Sequence, residues 1–422
     1  MKTDTGQMSA ARWPKITFWR LVFLVVMATG TVAAFMRITR GLGASTNLSD
    51  QFPWGLWIGF DMLCGVGLAA GGFAITASVY LFNLKRFHPI IRPTVLTAFL
   101  GYLFAILGLL FDLGQPQRIW HAMIMWNPRS VMFEVAWCVM LYTTVLALEF
   151  SPVVFERLNL EWPRRIIRAI TVPLVILGVI LSTLHQSSLG SLYLIVPEKL
   201  HALWYSPLLP VLFFTSAIAA GLAMVIVESY LCQRAFNHHL EMSLLEPVAR
   251  TMVVVLSVYG ILRLQDLARR GVLASLHNPG YEGTMFFLEI GLGVLLPILL
   301  LSIPRIRSTQ PGMVTGAFLA VLGFVMHRLN VSVTGMERAS RVSYFPSWME
   351  IAVSLALVAA GFALFGLAVR YLPIFSEAEH AVRQAEVPSW LVVRTDVPVP
   401  EVIPTGGRLP SLSQPVEEMG ND

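Results

Sequence analysis

Charge is scarce in this sequence: Asp, Glu, Lys and Arg fill 13% of its 422 positions, about half the share usual in soluble globular domains. Cysteine is scarcer still. Cys64, Cys138 and Cys232 are the only three, each alone in a separate apolar segment, so there is no CxxC, CxxCH or ferredoxin-like run. This excludes a recognisable iron–sulfur ligand set and covalent c-type haem attachment, and leaves most electron carriers to partners if the chain does redox chemistry. No internal repeat recurs at a fixed period. The paired, interrupted segments of an inverted-repeat transporter are not visible either, which counts against the transporter or channel alternative.

What fills the sequence is apolar. Hydrophobic residues make up 56% of it and the mean hydropathy is +0.68. Runs of about 20 residues, each able to cross a hydrocarbon core of about 30 Å, recur at 17–36, 57–83, 94–114, 130–150, 166–185, 208–232, 247–268, 284–303, 312–331 and 347–371. The reading is an all-α integral membrane protein with about ten transmembrane helices in a bundle. The first run is longer than a signal-peptide core and ends in FMRITRG without a small-residue cleavage site, so it reads as a retained helix. Residues 1–16 precede the membrane domain (17–372), and a polar, Pro-rich tail (373–422) follows it as an extension or docking strap. Most of the 30 Lys and Arg residues fall on the side that holds both termini, which places the termini in the cytoplasm. The formal net charge of +5 thus reflects topology and calls for no nucleic-acid partner. In the second run, Gly67 and Gly71 have the spacing of close helix packing.

Polar residues gather at one set of span ends. The outer junctions carry NLSDQFPWGLWIGFD (47–61), DLGQPQRIWHAMIMWNPRSVMFE (112–134), HQSSLG (185–190), RLQDLARR (263–270) and HRLNVSVTG (327–335), whereas the inner ones are short basic connectors. Asp61, Asp112, Glu134, Glu149, Glu228, Glu289 and Glu350 fall within or at the edge of spans, where a charge costs about 2.5–3.5 kcal/mol even on insertion scales. Asp112 ends the third span, Glu134 lies near the start of the fourth, and His185 is placed at the outer end of the fifth, so the three are expected to share a shallow pocket. Carboxyls and a His ringed by Trp and Tyr suit quinone–quinol interconversion, which needs hydrogen-bond donors and a proton carrier. Glu149 and Glu228, toward the inner ends of their spans, are either the start of a proton route or interfacial residues. Trp and Tyr taken singly are only the aromatic belt of any membrane protein.

At DLGQPQRIWHAMIMWNPRSVMFE, at LHQSSLGSLYLIVPEKLHALWYSPLLP (184–210) and at PWGLWIGFD in the second span, the sequence resembles the NrfD/PsrC family of quinone-interacting membrane subunits, in its ten-helix HybB/DsrP-like branch. The resemblance covers residues 15–372. It implies a bacterial inner-membrane anchor, part of a respiratory oxidoreductase, that exchanges electrons between menaquinone or ubiquinone and a ferredoxin-like iron–sulfur subunit on the extracytoplasmic face. Further catalytic or multihaem cytochrome subunits would complete the complex. Carried to matching positions, Trp54 and Gly55 line the cluster-facing mouth, Asp112 and Arg118 surround the quinone head, Glu134 leads to a proton path, and His185 hydrogen-bonds a quinone carbonyl. HQSSLG would close the pocket from above, with EKLHALWYSPLLP forming the outer surface. Neither haem nor an iron–sulfur cluster is expected in this chain. The alternative, a haem b cytochrome, has only His185 and His327 within spans to draw on.

Overall fold

A chain crossing lipid must satisfy its backbone polar groups internally, and helices do so within one segment. The computed structural model describes residues 17–236, 242–277 and 279–375. The expected N-terminal segment, His238, His239, Asn278 and the tail from 376 lie outside the described residues. Among the described residues, ten helices are long and apolar enough to span: Phe18–Arg40, Trp57–Tyr80, Lys85–Asp112, Val131–Arg157, Thr171–Ile195, Leu209–Phe236, Met242–Arg269, Tyr281–Ser302, Gln310–Ser340 and Trp348–Tyr371. They are called the first to tenth spans below.

Ten crossings leave two faces. On one, the long-loop face, Asn47 and Leu56 bond to Glu350 and Tyr344, and the His201 amide donates to the Gly335 carbonyl at 2.7 Å. On the short-loop face, Arg92 donates to Glu156 and to the Pro373 carbonyl and Arg157 to the Tyr371 carbonyl. Pro373–Phe375 therefore pack back on the membrane domain, and Ile374 is buried.

The spans close into two four-helix bundles. The second to fifth form one, the sixth to ninth the other, and the first and tenth pair with each other beside the third. Glycine holds the bundles together. A Cβ on Gly71 of the second span would lie 2.7 Å from the Gly221 carbonyl oxygen of the sixth, and one on Gly67 would lie 2.2 Å from the Phe324 ring of the ninth. The close packing expected of Gly67 and Gly71 is found.

Three spans are less regular than their hydropathy suggests. Trp57–Met62, Gly291–Leu295 and Asn330–Thr334 are π-helical, and a turn at Ala69 and Ala70 interrupts the second span. The first and last of these π segments touch: a Cβ on Gly59 would lie 2.2 Å from Ser332 Oγ. π-Turns re-aim side chains and recur at functional sites. Hydropathy does not mark them, because it reads composition and not the register of the backbone hydrogen bonds.

Candidate functional site

At the long-loop face, the third span ends in a carboxyl capped from another helix. Arg37 of the first span donates through Nε to the Phe111 carbonyl at 2.7 Å and through Nη2 to the Leu113 carbonyl at 2.6 Å, filling acceptors that every helix C-terminus leaves open. Asp112 lies within electrostatic range of Arg37 and Glu350. Glu350 is itself pinned: Ser347 and Glu350 form a capping box, the Asn47 amide donates to Oε1 at 2.9 Å, and Tyr344 donates to Oε2. Burial first, and then the carboxylate it donates to, hold the Tyr344 phenol well above its ordinary range, so it remains a donor at neutral pH.

Gly55 and Trp54 stand beside this cluster. A Cβ on Gly55 would lie 2.3 Å from Tyr344 Oη, so glycine is what lets the PWG segment lie against the phenol. Trp54 meets Tyr193 edge-on, with ring centroids 5.4 Å apart. Asp61, inside the π-helical turn, accepts from Ser354 Oγ at 2.5 Å and packs on Gly108 of the third span, one helical turn below Asp112. Arg118 is exposed and points to no partner in this cluster.

His185 lies elsewhere. The fifth span does not end at HQSSLG; it runs on to Ile195, which puts His185 about 15 Å inside the helix end at 1.5 Å per residue, near mid-bilayer. The expected lid is therefore helix interior. Polar side chains stay helical here by bonding back to their own helix: Ser187 to Thr183, Ser188 to Leu184 and Ser191 to Ser187. His185 is fully buried with Nδ1 2.8 Å from the Tyr102 hydroxyl, and Tyr102 meets Tyr142 edge-on. The Gln186 amide donates to the Val66 carbonyl of the second span. His185 Nε2, Ser182 Oγ, Tyr142 Oη and Gln186 Oε1 are buried and meet hydrogen-bond geometry with no described residue, although Ser182 and Gln186 lie beside the Tyr102 hydroxyl and Ser182 beside that of Tyr142. Glu134, exposed on the flank of the chain, accepts from Ser188 Oγ at 2.6 Å. Asp112, Glu134 and His185 thus occupy three depths and share no hydrogen bond.

The two inner carboxyls part company as well. Glu149 lines a cavity of about 170 Å³ with Arg92, Glu156, Arg164 and Arg168 near the short-loop face. Glu228 is buried beside Thr97, yet neither of its oxygens meets hydrogen-bond geometry with any described residue. It lines a separate cavity of about 510 Å³ that also reaches Asp61.

The densest polar cluster is one that sequence reasoning dispersed among topology signals. Arg263 and Arg328, assigned to the outer basic residues, are fully buried in the second bundle. Between them Glu289 accepts from His327 Nδ1, Trp204 Nε1 and Asn330 Nδ2, each at 2.8 Å. Arg263 donates to the Leu203 carbonyl at 2.7 Å. Arg328 donates to Phe213 O and Ser216 Oγ and stacks over the Phe213 ring at 3.6 Å. The connection before the sixth span, expected as outer surface, is drawn inward instead: Leu203, Trp204 and Ser206 are buried. The cavity beside His327 measures about 20 Å³, room for roughly one water and far too little for a porphyrin.

The family model described as polysulphide reductase, NrfD, matches residues 44–340. The chain is 40% identical over 364 residues to a protein of Nitratidesulfovibrio vulgaris (strain Hildenborough), covering 84% of this chain and 93% of that one. It is 34% identical over 346 residues to the probable Ni/Fe-hydrogenase 2 b-type cytochrome subunit of Escherichia coli (strain K12), covering 80% and 87%. To the integral membrane subunit of menaquinone reductase from the same Nitratidesulfovibrio strain it is 30% identical over 399 residues, covering 86% and 93%.

Proposed function

The chain belongs to the NrfD family, and on that premise we propose that it is the quinone-reactive membrane subunit of a multi-subunit respiratory oxidoreductase. One relative is named as the integral membrane subunit of menaquinone reductase and another as a b-type cytochrome subunit of a Ni/Fe-hydrogenase. The finer reading is that electrons pass between a menaquinone or ubiquinone pool and an iron–sulfur subunit docked on the long-loop face. That face is extracytoplasmic in this reading, with both termini in the cytoplasm and the complex in the bacterial inner membrane. Catalytic or multihaem cytochrome subunits lie beyond the iron–sulfur one.

The observation that carries the reading is the capped, polar end of the third span. Asp112 with Arg37, the Tyr344–Glu350 pair and the half-buried Trp54 make an amphiphilic mouth at membrane depth with an aromatic wall, where Asp112 Oδ1, buried without a partner among the described residues, is left to hydrogen-bond a quinone or quinol oxygen. Gly55 keeps the Tyr344 phenol close, and Arg118 stands at the rim. Interconversion of quinone and quinol moves two electrons and two protons, so the protein must also supply a proton route. Ser188–Glu134 and Tyr102–His185 provide groups that accept and donate in turn, with His185 inward of the ring rather than bonded to it at the surface. Glu149 and Glu228 extend the possible intake toward the short-loop face. Protons taken from that face for chemistry at the other would move charge across the membrane, worth about 2.3 kcal/mol per charge at 100 mV.

The test is an optical redox titration and quinone turnover assay on the purified complex, comparing wild type with His185→Ala and Glu134→Gln. Turnover lost in both variants, with assembly intact and no haem signal from this chain, agrees with the reading. A haem band that vanishes with His185, or turnover that is unchanged, counts against it.

A further inference from the structure

The 510 Å³ cavity between the second, third, sixth and tenth spans includes Asp61 and Glu228 but extends well beyond the polar mouth described above. Its walls run from Phe60 and Asp61 near the long-loop end to Ala235 and Phe236 near the short-loop end. Along the sixth span alone it extends from Met224 to Phe236, about 18 Å at 1.5 Å per residue and so more than half the hydrocarbon core. It is a slot rather than a chamber. Gly65, Ala69, Gly101, Ala105 and Gly361 line it, small residues that leave a narrow, knobbed channel for a branched chain.

We propose that this slot holds the isoprenoid tail of the quinone, which rests on the quinone reading above. Three observations choose this occupant. The upper end is Asp61, one turn below Asp112 on the face of the third span that Gly108 opens, so a ring at the mouth has its tail leading directly into the slot. The side opens to lipid, because the rim residues Leu231, Val358 and Phe362 are exposed on the outside of the chain, and a hydrophobic ligand can slide in laterally. The lining includes the carboxyls Asp61 and Glu228 and no Lys or Arg, so nothing in it receives the phosphate of a phospholipid. A neutral headgroup on a long apolar chain satisfies all three.

Gly361 supplies the test. A Cβ there would lie 3.5 Å from the Phe104 ring, ordinary contact distance, so the backbone tolerates a side chain that a tail would not. In the purified complex, Gly361→Phe is expected to lower the ratio of kcat/KM for a long-tailed quinol to that for a tail-less analogue by roughly tenfold, about 1.4 kcal/mol or about ten lost carbon–carbon packing contacts. A second measurement uses the unaltered complex. A quinone carrying a diazirine on its terminal isoprene is photolysed, and the labelled residues are expected among Leu231, Phe236 and Phe362. An unchanged ratio, label on other spans, or stoichiometric phospholipid that Gly361→Phe displaces would each overturn the slot while leaving the quinone reading standing. A wild-type complex that turns over neither quinol would sink the quinone reading and the slot with it.

Discussion

The two four-helix bundles bury different kinds of polar cluster. In the sixth to ninth spans Glu289 receives three donors and stands between two buried guanidinium groups. In the second to fifth spans the polar residues gathered around His185, namely Tyr102, Tyr142, Ser182 and Gln186, include no carboxylate or guanidinium; buried atoms without a partner among the described residues occur in both bundles, on His185, Tyr142, Ser182 and Gln186 in the first and on Glu228, Tyr259, Arg263, His327 and Arg328 in the second. Opposite charges that answer one another in a low-dielectric interior fix a single arrangement, because moving any member leaves a buried charge uncompensated. Groups that carry no full charge can change partners without stranding one. The charged cluster of the second bundle therefore reads as a frame, whereas the function proposed above puts proton exchange in the first.

The largest effect expected from breaking this contrast lies in the frame. Glu289→Ala strands Arg263 and Arg328 and should cost about 3–5 kcal/mol, seen as a lower melting temperature and poor recovery of the complex in detergent. Glu289→Gln keeps acceptor and shape and should lose less. A complex of unchanged stability after Glu289→Ala would show that the two bundles do not differ in this way. In the exchange bundle the loss should appear in rate and not in assembly. His185→Ala and Glu134→Gln should each lower quinone turnover by roughly a hundredfold, the lower range for losing a positioned acid or base, with melting shifted far less than by Glu289→Ala. Between the bundles, Gly221→Ala drives a methyl to 2.3 Å from the Gly71 nitrogen. Overpacking of this kind costs about 1–3 kcal/mol, and a thermal melt of the purified complex measures it.

Hydropathy located all ten spans, and small-residue spacing located the contact between second and sixth spans at Gly71. Asp112 was legible because a carboxyl that ends an apolar run is conspicuous. His185 was singled out but misplaced in depth, since HQSSLG lowers the hydropathy as a loop would while its serines return their hydroxyls to the helix backbone. Arg263 and Arg328 were lost for a different reason. In the sequence, an Arg near a span end is indistinguishable from one that snorkels to the interface. What buries these two comes from far along the chain: the Leu203 carbonyl lies 60 positions from Arg263 and Ser216 lies 112 from Arg328.

The smallest and most discriminating effect comes from a matched pair of tyrosines. Tyr102 and Tyr259 are both buried, one in each bundle, and both rings meet a histidine, at centroid distances of 5.4 and 5.9 Å. Only Tyr102 uses its hydroxyl, bonded at 2.8 Å to His185; that of Tyr259 has no partner among the described residues. Replacement by Phe removes the hydroxyl and leaves the packing. Tyr259→Phe should therefore leave both melting and turnover near wild type. Tyr102→Phe should shift stability by about 1 kcal/mol, the net worth of an ordinary hydrogen bond, while lowering turnover roughly tenfold if the imidazole depends on the phenol for its proton. Melting curves and steady-state turnover of the two variants, measured side by side, separate the cases. Equal, small changes in both would place the two tyrosines in the same structural class and remove the case for proton exchange in the first bundle; a rate loss confined to Tyr102→Phe would mean that the open valences around His185 serve the reaction.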